Sequence, residues 1–251
     1  MSSHITSLRF SRTVVVVLAA GLLFYGCSSE DEQDRTATAD ATVAGAVTAV
    51  EVKSVRRGSI EVVAGPGPAV SVQRTVHYRG DSAPKPGGEQ VSGGVLRLTD
   101  GCSDACFVDY RLQVPASVTV RLESGSGRIA VAGVAGAELS SSSGEVTADR
   151  IAGPLKVRTS SGSVTATGLT GPTAEVHASS GDARLTFAMP PVSVSAQSSS
   201  GDVALRLPQG PYRITAATSS GRRDIPLPST PTAPSHLSVR TSSGDIRIEG
   251  V

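Results

Sequence analysis

Asp182 and Asp202 each follow the glycine of a Ser-Ser-Gly phrase, one repeat apart. Carboxylates at equivalent places in adjacent repeats could share a cation, as in calcium-binding β-rolls. They could also serve as the acid and base of a glycan-cleaving β-helix. The rest of the row speaks against both. It reads Arg128, Glu145, Ser163, Asp182, Asp202, Arg222 and Asp245, the nine-residue calcium phrase is missing, and no aromatic platform lies nearby. Asp also favours turns for conformational reasons alone. His77, His177 and His236 are isolated in sequence, and His177 falls on an outward position. The sequence holds no Ser-His-Asp set, phosphate loop or metal motif, so no catalytic residue, metal or cofactor is assigned. Cys102 and Cys106 are the remaining reactive pair. In an exported chain, the simplest reading is a disulfide pinning a short loop. A zinc site would need two more ligands, and the spacing is not the C-x-x-C of redox motifs.

The elements that position these residues follow from the phrase itself. Its glycines are Gly127, Gly144, Gly162, Gly181, Gly201, Gly221 and Gly244, at steps of 17, 18, 19, 20, 20 and 23 residues. A fixed period of this size marks a repeat architecture. Seven and five residues before each glycine stand apolar residues such as Leu155 and Val157. Two and four residues after it stand others, such as Val164 and Ala166, and Arg223 alone breaks the columns. Apolar residues two apart on each side of a turn give two half-buried strands per repeat. The parity changes across Ser-Ser-Gly, so the phrase must turn the chain. Glycine suits a turn that needs positive φ. The turn is filled alike each time, while a second turn, often Gly-Pro, differs from it consistently. Equivalent strands should therefore stack, and the expectation is an all-β, parallel β-solenoid with two strands per coil. An antiparallel meander is the alternative. The outward column Arg121, Glu138, Lys156, Glu175 alternates in sign, as stacked coils would favour. The last step, with Pro226, Pro228, Pro231 and Pro234, reads as a loop between coils.

Charge and composition bound the function. Without residues 1–26 the chain holds 21 basic and 22 acidic side chains. Nucleic-acid binding needs clustered cations and is not expected. There are eight aromatics and no Trp.

At the start of the chain, Arg9 and Arg12 precede the apolar run Val14-Val15-Val16-Val17-Leu18-Ala19-Ala20, which ends in Gly26-Cys27. A basic start, a short apolar run and a small residue describe an export signal over residues 1–26. The Gly26-Cys27 ending resembles the lipobox of bacterial lipoproteins, although Phe24 and Tyr25 depart from it. The resemblance implies a diacylglyceryl group on Cys27, hence attachment to the extracytoplasmic face of the cell membrane. The alternative is an ordinary secretory signal with Cys27 as a free thiol. Residues 27–46, acidic and then Ala/Thr-rich, read as a flexible tether. From Val47 the alternation begins, and Gly58 with Ile60 and Val62 looks like a first, degenerate copy of the repeat. Residues 79–90 should be an exposed loop.

Ser143-Gly144-Glu145-Val146, Ser200-Gly201-Asp202-Val203 and the stretch Val108–Pro115 resemble the bacterial DUF4097 family of β-strand repeat proteins, which carries an adhesin label. The resemblance covers residues 47–251 and concerns architecture; it brings no catalytic residues. It implies a binding or structural module whose polar outer faces meet cell-wall glycan or another envelope protein. The alternatives from other classes are a carbohydrate-active enzyme of β-helix type and an accessory to an envelope signalling system.

Overall fold

The computed structural model describes residues 16–17, 34–85, 87–102 and 105–251. All of its regular elements are strands, in a 12-stranded and a 10-stranded sheet. The apolar columns of the sequence are the strand register. In the second sheet Ala137 pairs with Leu155 and Leu139 with Val157; in the first, Ile129 pairs with Val146 and Val131 with Ala148. Each coil enters through a strand of the second sheet, such as Gly136–Ser141. It turns at Ser-Ser-Gly and leaves through a strand of the first, such as Val146–Asp149. Coil-to-coil pairing is parallel throughout the repeats. The protein is a parallel β-solenoid. Its core is a single run between the sheets, mostly Val, Leu, Ile and Ala with Tyr110, Phe187 and Tyr212 among them.

Glycine is required at the turn by close approach rather than by φ alone. Gly127, Gly144 and Gly162 do not have positive φ. A Cβ built on Gly144 would lie 2.0 Å from the Gly127 carbonyl oxygen, and one on Gly162 would lie 2.0 Å from that of Gly144. The same contact recurs from Gly127 on Gly58 (1.9 Å) to Gly201 on Gly181 (2.2 Å). Gly58 thus belongs to the ladder. The sequence columns passed over a second regularity three residues before each glycine. There Ser124, Ser141, Thr159, Ser198 and Thr241 are buried. The Ser141 hydroxyl donates to the Gly144 carbonyl (2.9 Å), and the Gly162 N–H donates to Thr159 Oγ1 (2.9 Å). These bonds satisfy backbone groups that the turn leaves unpaired and buried.

The coils do not stack wholly in chain order. The C-terminal coil, Ser235–Ser243 with Ile246–Gly250, inserts between the Ser193–Leu207 coil and the one containing Tyr212–Ser220. Arg223 supplies the physical reason. An unpaired guanidinium facing the core would be costly to bury. At the end of the solenoid it is exposed and donates to the Ala216 carbonyl (3.3 Å). The inserted coil brings fully buried Leu237, Val239, Ile246 and Ile248 to the inner position. The proline-rich segment is the long connector this exchange needs. It also covers the start of the outer edge strand: Ser229 bridges Tyr212, and Thr230 N–H donates to the Tyr212 carbonyl (2.8 Å).

The other end is closed by antiparallel pairing. Val70–Tyr78 runs against Cys106–Pro115, and Gln90–Ser92 turns through Gly93-Gly94 (φ 58° and 79°) into Val95–Thr99. Positive φ at both turn residues is the geometry a two-residue hairpin favours. Arg35–Val43, expected within the tether, is instead a strand paired over nine positions with Val70–Tyr78. Main-chain hydrogen bonds need no large side chains, and buried Val43 and Ala41 pin its end to the core. Val16–Val17 pairs with Thr42 and Val43. Cys27 and the rest of the export signal lie outside the described residues. Among those described, no helix is long and apolar enough to cross a membrane.

Beneath this cap Tyr110 is buried, its hydroxyl donating to the Thr99 carbonyl (2.7 Å). Burial pushes its pKa up to about 12. A group raised in the folded state stabilises fully below its unfolded pKa of about 10 and loses that contribution as pH rises through the folded value. Stability should therefore decline between about pH 10 and 12 in urea titrations. The decline should be shallower in Tyr110→Phe; an unchanged slope would remove Tyr110 as its cause.

Candidate functional site

The aspartate row that suggested chemistry is a structural ladder. Because the terminal coils exchange places, Asp182, Asp202 and Asp245 lie on consecutive coils, and Arg222 caps the row rather than interrupting it. Asp182 Oδ1 accepts the Asp202 N–H (3.0 Å). Asp202 Oδ1 accepts the Asp245 N–H (2.8 Å), and Asp245 Oδ1 the Arg222 N–H (2.7 Å). Asp182 Oδ2 is bonded to Arg184 (2.8 Å). These carboxylates hold coil to coil at the turn. Among the described residues, no three His, Cys, Asp or Glu side chains cluster so as to hold a metal.

The remaining candidates have structural partners. Cys102 and Cys106 are disulfide-bonded, with Cα atoms 5.4 Å apart, inside the usual span of a bridge. The buried Asp100 beside them accepts the Cys102 N–H (3.2 Å). His77 stacks on Phe107 (centroids 4.3 Å apart) and bonds Asp109 Oδ2 through Nε2 (2.8 Å), while Asp109 Oδ1 accepts the Ser59 N–H. His177 Nε2 lies 2.9 Å from Glu175 Oε1. That hydrogen bond, helped by Lys156 and Arg158 and opposed by partial burial, holds the Glu175 carboxyl below its ordinary pKa. His236 enters the fold through its backbone N–H, which donates to the Val192 carbonyl (2.9 Å).

The concavity that could receive a ligand lies elsewhere, on the outer face of the second sheet where its strands curl into the Ser-Ser-Gly turns. It is a groove of about 800 Å³ crossing six coils, from Ser140–Ser142 through residues 158–160, 177–179, 197–199 and 240–242 to 217–219. Its floor is the column three residues before each glycine, where Ser141, Thr159, Ser198, Thr218 and Thr241 bond backbone groups and Ala178 interrupts the hydroxyls. Its rim is the next column, exposed Ser142, Ser160, Ser179, Ser199, Ser242 and Ser219. Parallel strands set these hydroxyls at roughly 4.8 Å intervals along the solenoid. Arg158, His177, Gln197 and Arg240 project along the opposite rim. Such a surface offers many directional donors and acceptors and little apolar area. It suits an extended, hydroxyl-rich or charged chain rather than a compact apolar molecule. Each serine was visible in the sequence, but read as turn material. Only stacking turns separate hydroxyls into one row.

The fold and groove define a two-sheet solenoid of stacked Ser-Ser-Gly coils with a polar groove along its length. The chain belongs to the Toastrack DUF4097 family, whose model matches residues 109–249. Among solved structures it is similar to a candidate adhesin from Parabacteroides merdae (14% identity, 86% of this chain and 96% of that one, TM-score 0.49). A candidate adhesin from Bacteroides fragilis is similar too (14% identity, 88% and 99%, TM-score 0.48). A candidate cell adhesion protein from Clostridium sporogenes has 9% identity over 87% and 100%, with a TM-score of 0.38. No curated protein matches the sequence.

Proposed function

We propose that this protein is a lipid-anchored, extracytoplasmic binding module whose groove holds an extended glycan of the cell envelope. The observation that carries the reading is the groove itself, a continuous strip of regularly spaced exposed hydroxyls across six coils. Repeated hydroxyls match a repeating polar polymer, which can gain many weak contacts in register. The adhesin label of the family is consistent with such a role, and the export signal with Cys27 supplies the address.

A glycan array probed with the full chain should show binding to polysaccharides. Ser179→Trp, which places a bulky ring on the exposed rim at mid-groove, should cut it at least tenfold without changing the fold. Binding to no glycan, or binding indifferent to Ser179→Trp, would sink the reading. Mass measurement of the mature protein should find a diacylglyceryl group on an N-terminal Cys27. An unmodified thiol there would remove the anchor.

A further inference from the structure

The outer face of the second sheet is electrostatically split along its length. On the proximal coils every cation has a carboxylate. Arg121 reaches Glu138 (3.6 Å) and Glu123 (3.8 Å), and Lys156 reaches Glu175 (3.7 Å). Arg158 lies between Glu138 (3.9 Å) and Glu175 (3.7 Å). The three distal strands, Ser193–Ser200, Ser235–Ser243 and Tyr212–Ser220, contain no Asp or Glu at all. They carry exposed Arg213 and Arg240. Neither is in an ion pair among the described residues; Arg240 bonds only the Ser238 hydroxyl (2.8 Å). Asp202 and Asp245 lie across the Ser-Ser-Gly corner, and each spends Oδ1 on a backbone N–H. The Arg213 and Arg240 strands are neighbours at the free end of the stack.

We infer that the distal three coils select acidic polysaccharides, with Arg213 and Arg240 receiving carboxylates of the bound chain and the serine rim receiving its hydroxyls. This rests on the glycan-binding reading of the groove, which Arg240 lines; Arg213 lies beyond the groove on the same sheet. Arg213 pairs with His236, and Arg240 lies four residues further along that strand. Strand rise and strand spacing put the two backbones about 14 Å apart. That separation suits a polymer carrying repeated carboxylates better than one small anion. Guanidinium suits this role because its planar fork takes a carboxylate bidentately. An exposed pair of cations also makes the attraction sensitive to salt.

The test compares the full chain, in detergent, on polygalacturonate, on neutral dextran and on duplex DNA, at low salt and at 0.5 M salt. Polygalacturonate should bind at least tenfold more tightly than dextran, weaken in salt, and lose at least tenfold in Arg213→Gln/Arg240→Gln. Arg121→Gln/Lys156→Gln, on the proximal coils, should bind as the parent does. Equal binding of dextran would overturn the inference and leave the glycan reading standing. So would acid-selective binding indifferent to the two arginines. Equal binding of DNA would show a nonspecific polyanion surface and overturn it as well. Binding to none of the three, with an empty glycan array, would overturn both.

Discussion

Gly162→Ala should lower the stability of the folded chain by about 3 kcal/mol, read as a fall in the urea midpoint at unchanged slope. The added Cβ would sit 2.0 Å from the Gly144 carbonyl oxygen and 2.8 Å from its carbon. A flexible side chain could yield to it, but this neighbour is backbone held in parallel ladders on both sides. Relief requires two coils to separate, which breaks the nearest-neighbour contacts that hold a solenoid together. Two comparisons make the cause identifiable. Gly67→Ala, with nothing within 4 Å of the new atom, should be neutral or slightly stabilising. Gly221→Ala meets the Gly244 carbonyl at 2.0 Å, but its coil is terminal and can move outward, so its cost should be less than half that of Gly162→Ala. Equal midpoints for the Gly162 and Gly67 variants would refute the close-approach account of the ladder.

Glu89→Gln should cost about 3 kcal/mol, because it strands a buried guanidinium. Arg74 points inward from the Val70–Tyr78 strand with 9% of its side chain exposed, and its partner Glu89 is 12% exposed. The guanidinium carbon lies 6.0 Å from the centre of the Tyr110 ring, and Nε has no hydrogen-bond partner. The ion pair is therefore what makes burial of Arg74 tolerable. Replacing both residues with leucine removes the charge and the desolvation together, so Arg74→Leu/Glu89→Leu should recover most of the loss or exceed the parent. Urea unfolding of the three variants settles it: a double variant no more stable than Glu89→Gln would show that the pair itself, not the stranded charge, carries the stability. The pair closes the antiparallel end, where the repeat no longer supplies a neighbouring coil.

The columns of the repeat were legible because solenoid packing is local in sequence. Leu155 meets Val157 on its own strand and Ala137 and Ala174 on the coils beside it, so a period and an alternation suffice to place it. The sign alternation from Arg121 to Glu175 was legible for the same reason, although Arg158, not Lys156, completes the bridge from Glu138 to Glu175. The tether reading failed at Arg35–Val43 because composition measures the apolar surface a strand can bury. It does not count the hydrogen bonds that an existing strand edge can offer.

By itself, the sequence determined the coil: two strands, a Ser-Ser-Gly corner, a small aliphatic core, and a parallel stack. Each of these follows from side-chain size and parity within some twenty residues. It also held, in Arg223, the sign that one coil could not be internal. Asp182 and Asp202 stood out as candidate chemistry, but only the stack shows their carboxylates bonded to the backbone of the next coil. Only the tertiary structure decided that the C-terminal coil slips beneath the one before it, because that choice weighs a buried guanidinium against a long proline-rich connector far apart in the chain. Stacking itself placed Arg213 and Arg240 on adjacent strands and gathered the serines into one groove. Those contacts are made between coils, where sequence distance and spatial distance part company.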